Sequence, residues 1–109
     1  MSSYQAGLDA YERGDYETAL KEWRPLAEQG DPLAQSYLGG MYTEGEGLPK
    51  DYVLAHMWAT LAAAQGNENA VKGRDFLEGL MTPAQIAGAQ RLAREWKAKG
   101  KDWCEWGIT

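Results

Sequence analysis

Apolar residues recur three and four positions apart through most of the chain. In Asp15–Gly30, Tyr16, Ala19, Leu20, Trp23, Leu26 and Ala27 fall on one such stripe. That spacing predicts a helix with one face buried. Punctuation sets the boundaries. Asp15 and Asp51 suit the N-cap, where a carboxylate accepts orphan backbone N–H bonds and favours the positive helix end. Asp31-Pro32 adds proline at the first helical position, where a missing N–H costs nothing. Thr82-Pro83-Ala84-Gln85 reads as a capping box. Gly30 and Gly66 stop helices. Six helices are predicted, at about 3–13, 16–29, 32–44, 52–65, 68–80 and 83–99. Short loops between them imply antiparallel packing. Pro25 removes a backbone hydrogen bond inside the second helix. A kink is expected there rather than a restart at Arg24-Pro25.

The pattern repeats. DYETALKEWRPLAEQG (Asp15–Gly30) aligns without a gap on DYVLAHMWATLAAAQG (Asp51–Gly66), at an offset of 36 residues. Asp, Tyr, Ala, Ala, Gln and Gly match at 15/51, 16/52, 19/55, 27/63, 29/65 and 30/66. A period in the thirties is the size of one helix-turn-helix repeat. Tyr11 lies four residues before Asp15, while Tyr42 lies nine before Asp51. The second unit thus has five more residues in its inter-helix loop. The fold class read from this is all-α, an α-α superhelix of about three helix-turn-helix units. The units are 3–30, 31–66 and a capping unit 67–99, followed by an aromatic tail, 100–109. Ala19, Ala27, Gly39, Ala55, Ala59, Ala62 and Ala63 fall where helices cross closely. Leu20, Trp23, Leu26, Leu38, Tyr42, Leu54, Trp58 and Leu61 fill the layers between.

Residues Ala34–Gly66 carry a more specific signal. Ala34, Leu38-Gly39, Tyr42, Gly45, Gly47, Pro49, Asp51-Tyr52, Ala55, Trp58, Ala62-Ala63 and Gly66 form a pattern that resembles the Sel1-like repeat, a tetratricopeptide-like helical repeat. The first unit is similar to a variant of it with a short Gly14-Asp15 turn, and Trp23 sits one position later than Trp58 does. The third keeps Ala70 but has Asp75 where the pattern has glycine. Terminal repeats are atypical because one of their faces meets water. The resemblance implies a protein-binding α-solenoid whose first helices line the concave face. Gln5, Asp9, Glu12 and Arg13 of one helix and Ser36, Gly40, Thr43 and Glu44 of another would then face a protein or peptide partner. Acidic Asp9, Glu12 and Glu44 favour a basic segment. A second glycine at Gly40 costs a helix about 1 kcal/mol relative to alanine. The expected reason is room for an aromatic within the fold; the alternative is a partner's close approach.

Composition narrows the function classes. The chain of 109 residues suits one small domain, and 44% hydrophobic content is globular. Aromatic content is carried by five Trp and six Tyr against one Phe, which places many rings in seams where their polar tips find partners. The net charge of −5 argues against nucleic acid. It is uneven: residues 91–101 hold five Lys/Arg and one Glu, a pattern suited to a helix C-terminal end. No apolar run is long enough to span a membrane. No charged-then-apolar leader precedes residue 16, so the expected compartment is the cytoplasm, or the periplasm or exterior if a signal has been removed.

No catalytic, cofactor or metal site is expected. The lone His56 lies mid-helix with no serine or cysteine in a nucleophile context, and reads as a surface or seam residue. Glu44, Glu46 and Asp51 are interrupted by Leu48-Pro49-Lys50, unlike a calcium loop. Cys104 has acidic neighbours that disfavour a thiolate. Lys50 is followed by Asp51, and the glycine-rich stretch follows a helix, so it is no phosphate loop. Trp103 and Trp106 either cap the last helix pair or pair two copies, leaving a monomer or weak homodimer. The leading function is a non-enzymatic interaction module. The alternatives are a small hydrolase-type or ligand-binding role, or a structural subunit associating through that tail.

Overall fold

The structure, a computed structural model, describes the backbone of residues 3–108 and the side chains of residues 4–96. Within it the chain forms six helices: α1 (Ser3–Glu12), α2 (Tyr16–Glu28), α3 (Pro32–Glu44), α4 (Tyr52–Ala64), α5 (Glu68–Glu78) and α6 (Pro83–Ile108). The caps act as the sequence requires. Asp15 accepts from the Thr18 N–H, Asp31 from Leu33 and Ala34, and Asp51 from Leu54. Thr82 and Gln85 exchange side-chain and backbone bonds of 2.9 and 3.1 Å. Asn67, not singled out from sequence, caps α5 through the Ala70 N–H. α2 continues through Pro25 to Glu28 without a restart. The backbone of α6 runs to Ile108, past the expected end near 99.

The helices form a two-layer α-solenoid. Its thinnest extent is 23 Å, about two helix diameters. α1, α3 and α5 make one layer, α2, α4 and α6 the other. α5 reaches α3 as well as α4, and α6 packs on α4. Small residues set the layer spacing. Ala19, Ala27, Ala55 and Ala62 are fully buried. A Cβ at Gly39 would stand 3.2 Å from the Ala55 carbonyl oxygen and 3.6 Å from the Ala59 nitrogen, so α3 crosses α4 backbone to backbone. The equivalent of Gly39 in the last pair, Asp75, is exposed.

Trp23 anchors the first half of the core. It is fully buried, stacks on Tyr37 at 4.5 Å and donates from its indole N–H to the Tyr4 carbonyl at 3.1 Å. Gly7 makes that possible, since a Cβ there would lie 2.3 Å from the indole nitrogen. Trp58 meets Trp96 edge-on at 5.7 Å and ties α6 to α4.

An amide relay, buried at Gln35, joins the pairs. Gln35, fully buried, donates to the Ala27 carbonyl at 3.0 Å and accepts from Gln65 at 3.0 Å. Gln65 also donates to the Gly30 carbonyl at 2.9 Å. The Gln35 amide thereby pairs groups that burial would otherwise leave without a partner.

Candidate functional site

A concavity lies on the α1–α3–α5 layer, a groove of about 450 Å³. Its origin is in the helix register. On α1, Tyr4 and Tyr11 are seven residues apart, two turns, and so share a face. On α3, Leu33, Ser36, Tyr37, Gly40, Thr43 and Glu44 follow the same three-four spacing. On α5, Asn69, Gly73 and Phe76 repeat it, with Asn67 and Glu46 entering from loops.

One wall is aromatic. Tyr4, Tyr11, Tyr37 and the buried Trp23 sit with ring centroids 4.5–6.2 Å apart. The Tyr11 hydroxyl donates to Glu46 at 2.8 and 3.1 Å, bridging α1 to the long α3–α4 loop. Burial, then this hydrogen bond, pushes the Tyr11 phenol up to about 12. Tyr4 is likewise raised to about 12, by burial and by its contact with Tyr37. Tyr16 is raised by the charge of the same Glu46. The loop reaches this position because Gly47 presses on α2: a Cβ there would stand 2.8 Å from that of Tyr16. Gly47 also has φ +79°, which disfavours any other residue.

Two large apolar residues are left exposed, one on α3 and one on α5. Leu33 is 48% exposed and Phe76 63% exposed, both at the groove. Between α3 and α5 the floor deepens into a pit of about 120 Å³, bounded by Gly40, Gly73, Thr43, Asn69, Ala55 and Leu77 among others.

Of the residues expected on the concave face, Ser36, Gly40, Thr43 and Glu44 line the groove. Gln5, Asp9, Glu12 and Arg13 are not among its lining residues; Gln5 donates to Asp9 at 3.0 Å, and Arg13 reaches Asp15 at 3.7 Å. The α1 positions that do face it are Tyr4 and Tyr11, aromatics of the kind that composition places in seams. The share taken by α5 is not evident from sequence, although Asn69 and Gly73 stand on the stripe that Ala70 marks. The expected reason for Gly40 does not hold. No atom of a neighbouring helix lies within 4 Å of where its Cβ would be, so it makes no room for an aromatic within the fold. Trp103, Trp106 and Cys104 lie outside the residues whose side chains are described.

His56 is fully buried rather than at the surface. Its Nε2 is 2.7 Å from Glu78 on α5, and its Nδ1 is 3.2 Å from the Thr60 hydroxyl. With the proton on Nε2 the ring donates to Glu78 and accepts from Thr60, a complete set for a neutral imidazole. Neither the groove nor the pit is lined by any of these three residues. Among the described residues no three His, Cys, Asp or Glu side chains gather as a metal site. No helix of those residues is long and apolar enough to cross a membrane.

Comparison with known proteins agrees with this architecture. The family model described as Sel1 repeat matches residues 32–67. The crystal structure of a protective antigen present in uropathogenic Escherichia coli strains, which displays an SLR fold, superposes with a TM-score of 0.80 at 27% identity. The alignment covers 97% of this chain and 24% of that one, so the chain spans about a quarter of that protein's length. No curated protein matches.

Proposed function

From the premise that the chain is a Sel1-like repeat helical protein, we propose that it is a non-enzymatic adaptor whose α1–α3–α5 groove holds a segment of a partner protein. Sel1 repeats are in general protein–protein interaction modules. The observation that carries the reading to this face is the pairing of Leu33 and Phe76, large apolar side chains left about half or more exposed on either side of one concavity. Exposed apolar groups gathered at a groove mark a binding surface, whereas single ones scattered over a surface do not. The catalytic alternative has less to support it. His56 stands between a hydroxyl and a carboxylate, as a triad base does, but has no solvent exposure and opens on neither cavity.

The test is capture of a partner from native lysate by the full chain, compared across three variants. Leu33→Asp and Phe76→Asp are expected to lose the partner while keeping the helical circular dichroism of the parent. Leu80→Asp is the control, since Leu80 is 51% exposed but does not line the groove. Equal capture by all three variants would remove the groove from consideration.

A further inference from the structure

The groove has a chemistry that selects among polypeptide segments. At its α3 C-terminal end stand two carboxylates, Glu44 and Glu46. Glu44 is exposed and has no hydrogen-bond or ion-pair partner among the described residues. Glu46 is held by a neutral donor, the Tyr11 hydroxyl, at 2.8 Å. Among the described residues, no lysine or arginine lines the groove. Lys50, the cation nearest to these carboxylates in sequence, lies over the Tyr52 ring at 5.6 Å, and Arg13, two residues from Tyr11, reaches Asp15 at 3.7 Å. This end therefore presents two carboxylates with no ion-pair partner among the described residues, and their negative charge attracts a cation.

The pit supplies the second half of the recognition. Gly40 and Gly73 stand at its mouth, from α3 and α5, inside helices where glycine is unfavourable. A Cβ added at either would meet no neighbouring atom within 4 Å. Packing within the fold thus gives neither glycine a reason, while the opening of the pit gives one to both. Its volume, about 120 Å³, approaches the roughly 150 Å³ of an apolar cavity that takes a benzene ring.

We infer that the groove binds an extended basic segment of a partner protein, with an arginine or lysine at Glu44 and Glu46 and an apolar side chain seated in the pit between α3 and α5. This rests on the groove being the interaction surface. Gly40 and Gly73 are then specificity-determining residues, kept small for the partner's anchor. A methyl group at either narrows the mouth and leaves the fold untouched.

The experiment is selection of a random peptide library on the immobilised full chain, followed by fluorescence anisotropy with a selected peptide. The expected peptides pair Arg or Lys with Leu, Met or Phe, and their affinity falls as salt rises. Glu44→Gln, which breaks no contact among the described residues, is expected to weaken them about fivefold, the upper end for exposed charge pairs. Gly40→Ala and Gly73→Ala are expected to weaken binding by a similar factor without loss of melting temperature. That loss should vanish when the peptide's anchor is cut to alanine. Gly88→Ala, on α6 with equally open space and no share of the groove, should bind as the parent does.

Acidic or neutral selected peptides, or unchanged affinity in Glu44→Gln, would overturn the inference. If Leu33→Asp and Phe76→Asp still abolish binding in that case, the groove remains the interaction surface and only the partner's chemistry is wrong. Binding untouched by Leu33→Asp and Phe76→Asp, or no binder at all, counts against both. A concentration-dependent mass that Leu33→Asp abolishes would place a second copy in the groove and also overturn the inference.

Discussion

Two adjacent glycines give a sharp test of how α3 is built. Gly39 faces α4, with a would-be Cβ 3.2 Å from a carbonyl oxygen and 3.6 Å from a backbone nitrogen. Backbone atoms cannot swing away as a side-chain tip can, so alanine at 39 must push two helices apart. Overpacking of this kind costs about 1–3 kcal/mol. Replacing a helix glycine by alanine returns about 1 kcal/mol of propensity, which leaves Gly39→Ala less stable by about 1 kcal/mol. Gly40, one position on, meets no neighbouring atom within 4 Å. Gly40→Ala therefore keeps the whole propensity gain and is more stable by about 1 kcal/mol. The two variants should differ by about 2 kcal/mol, or roughly 8 °C in melting temperature for a domain of this size. Urea unfolding at fixed m-value, with thermal melts beside it, reads the difference. Shifts of the same sign and similar size in both variants would refute the backbone-contact argument.

The seams carry three further expectations. Tyr11→Phe keeps the ring against Trp23 and loses only the donor to Glu46, so urea melts should show a loss of about 1 kcal/mol. His56→Ala empties a fully buried site and should cost about 2–4 kcal/mol, whereas Glu78→Gln, at a 36% exposed side chain that keeps its acceptor oxygen, should cost under about 1 kcal/mol. The folded state holds Tyr4 and Tyr11 at about 12 against an ordinary 10.0, so it favours their neutral forms. Their contribution to stability is then complete below pH 10 and declines as pH rises from there toward 12. Tyrosinate absorbance should show Tyr4 and Tyr11 ionising late, with Tyr16 also above the ordinary value, and melting temperature should fall across that window; ionisation of every tyrosine near 10 would contradict it.

The starts of α2, α3, α4 and α6 were legible because caps are local, whereas the end of α6 at Ile108 carries no such mark. Asp15, Asp31, Asp51 and the Thr82–Gln85 box each act within three residues of themselves, so composition near a boundary carries the signal. The groove was legible only on α3. There, the outward positions of a helix with a strong family pattern coincide with the lining. On α1 the pattern puts polar residues on the outer face and tyrosines in the seams. An amphipathic ring can serve both, and Tyr4 and Tyr11 do: each packs on Trp23 and still borders the groove. Glu46 escaped for a different reason. Its partner Tyr11 is 35 residues away, and only the five-residue extension of the α3–α4 loop brings it there. The Gln35–Gln65 bond is equally non-local, and a buried glutamine has no periodic signature.

These non-local contacts bear on how the groove works. Tyr11–Glu46 ties α1 to the loop after α3, and the Gln35–Gln65 relay ties α3 and the end of α4 to the turn after α2. Together they fix the first two helix pairs relative to each other, so the aromatic wall stands ready before a partner arrives. A preformed wall loses little conformational freedom on binding, and more of the contact energy then appears as affinity. The two glycines of α3 give up helix propensity to different ends. Gly39 does so for the fold, because α4 lies against it. Gly40 faces open space in the groove, as Gly73 does from α5. Selection for stability alone would replace Gly40 and Gly73 by alanine and leave Gly39 in place. Gly88 on α6 has equally open space, so what sets Gly40 and Gly73 apart is that both line the pit between α3 and α5.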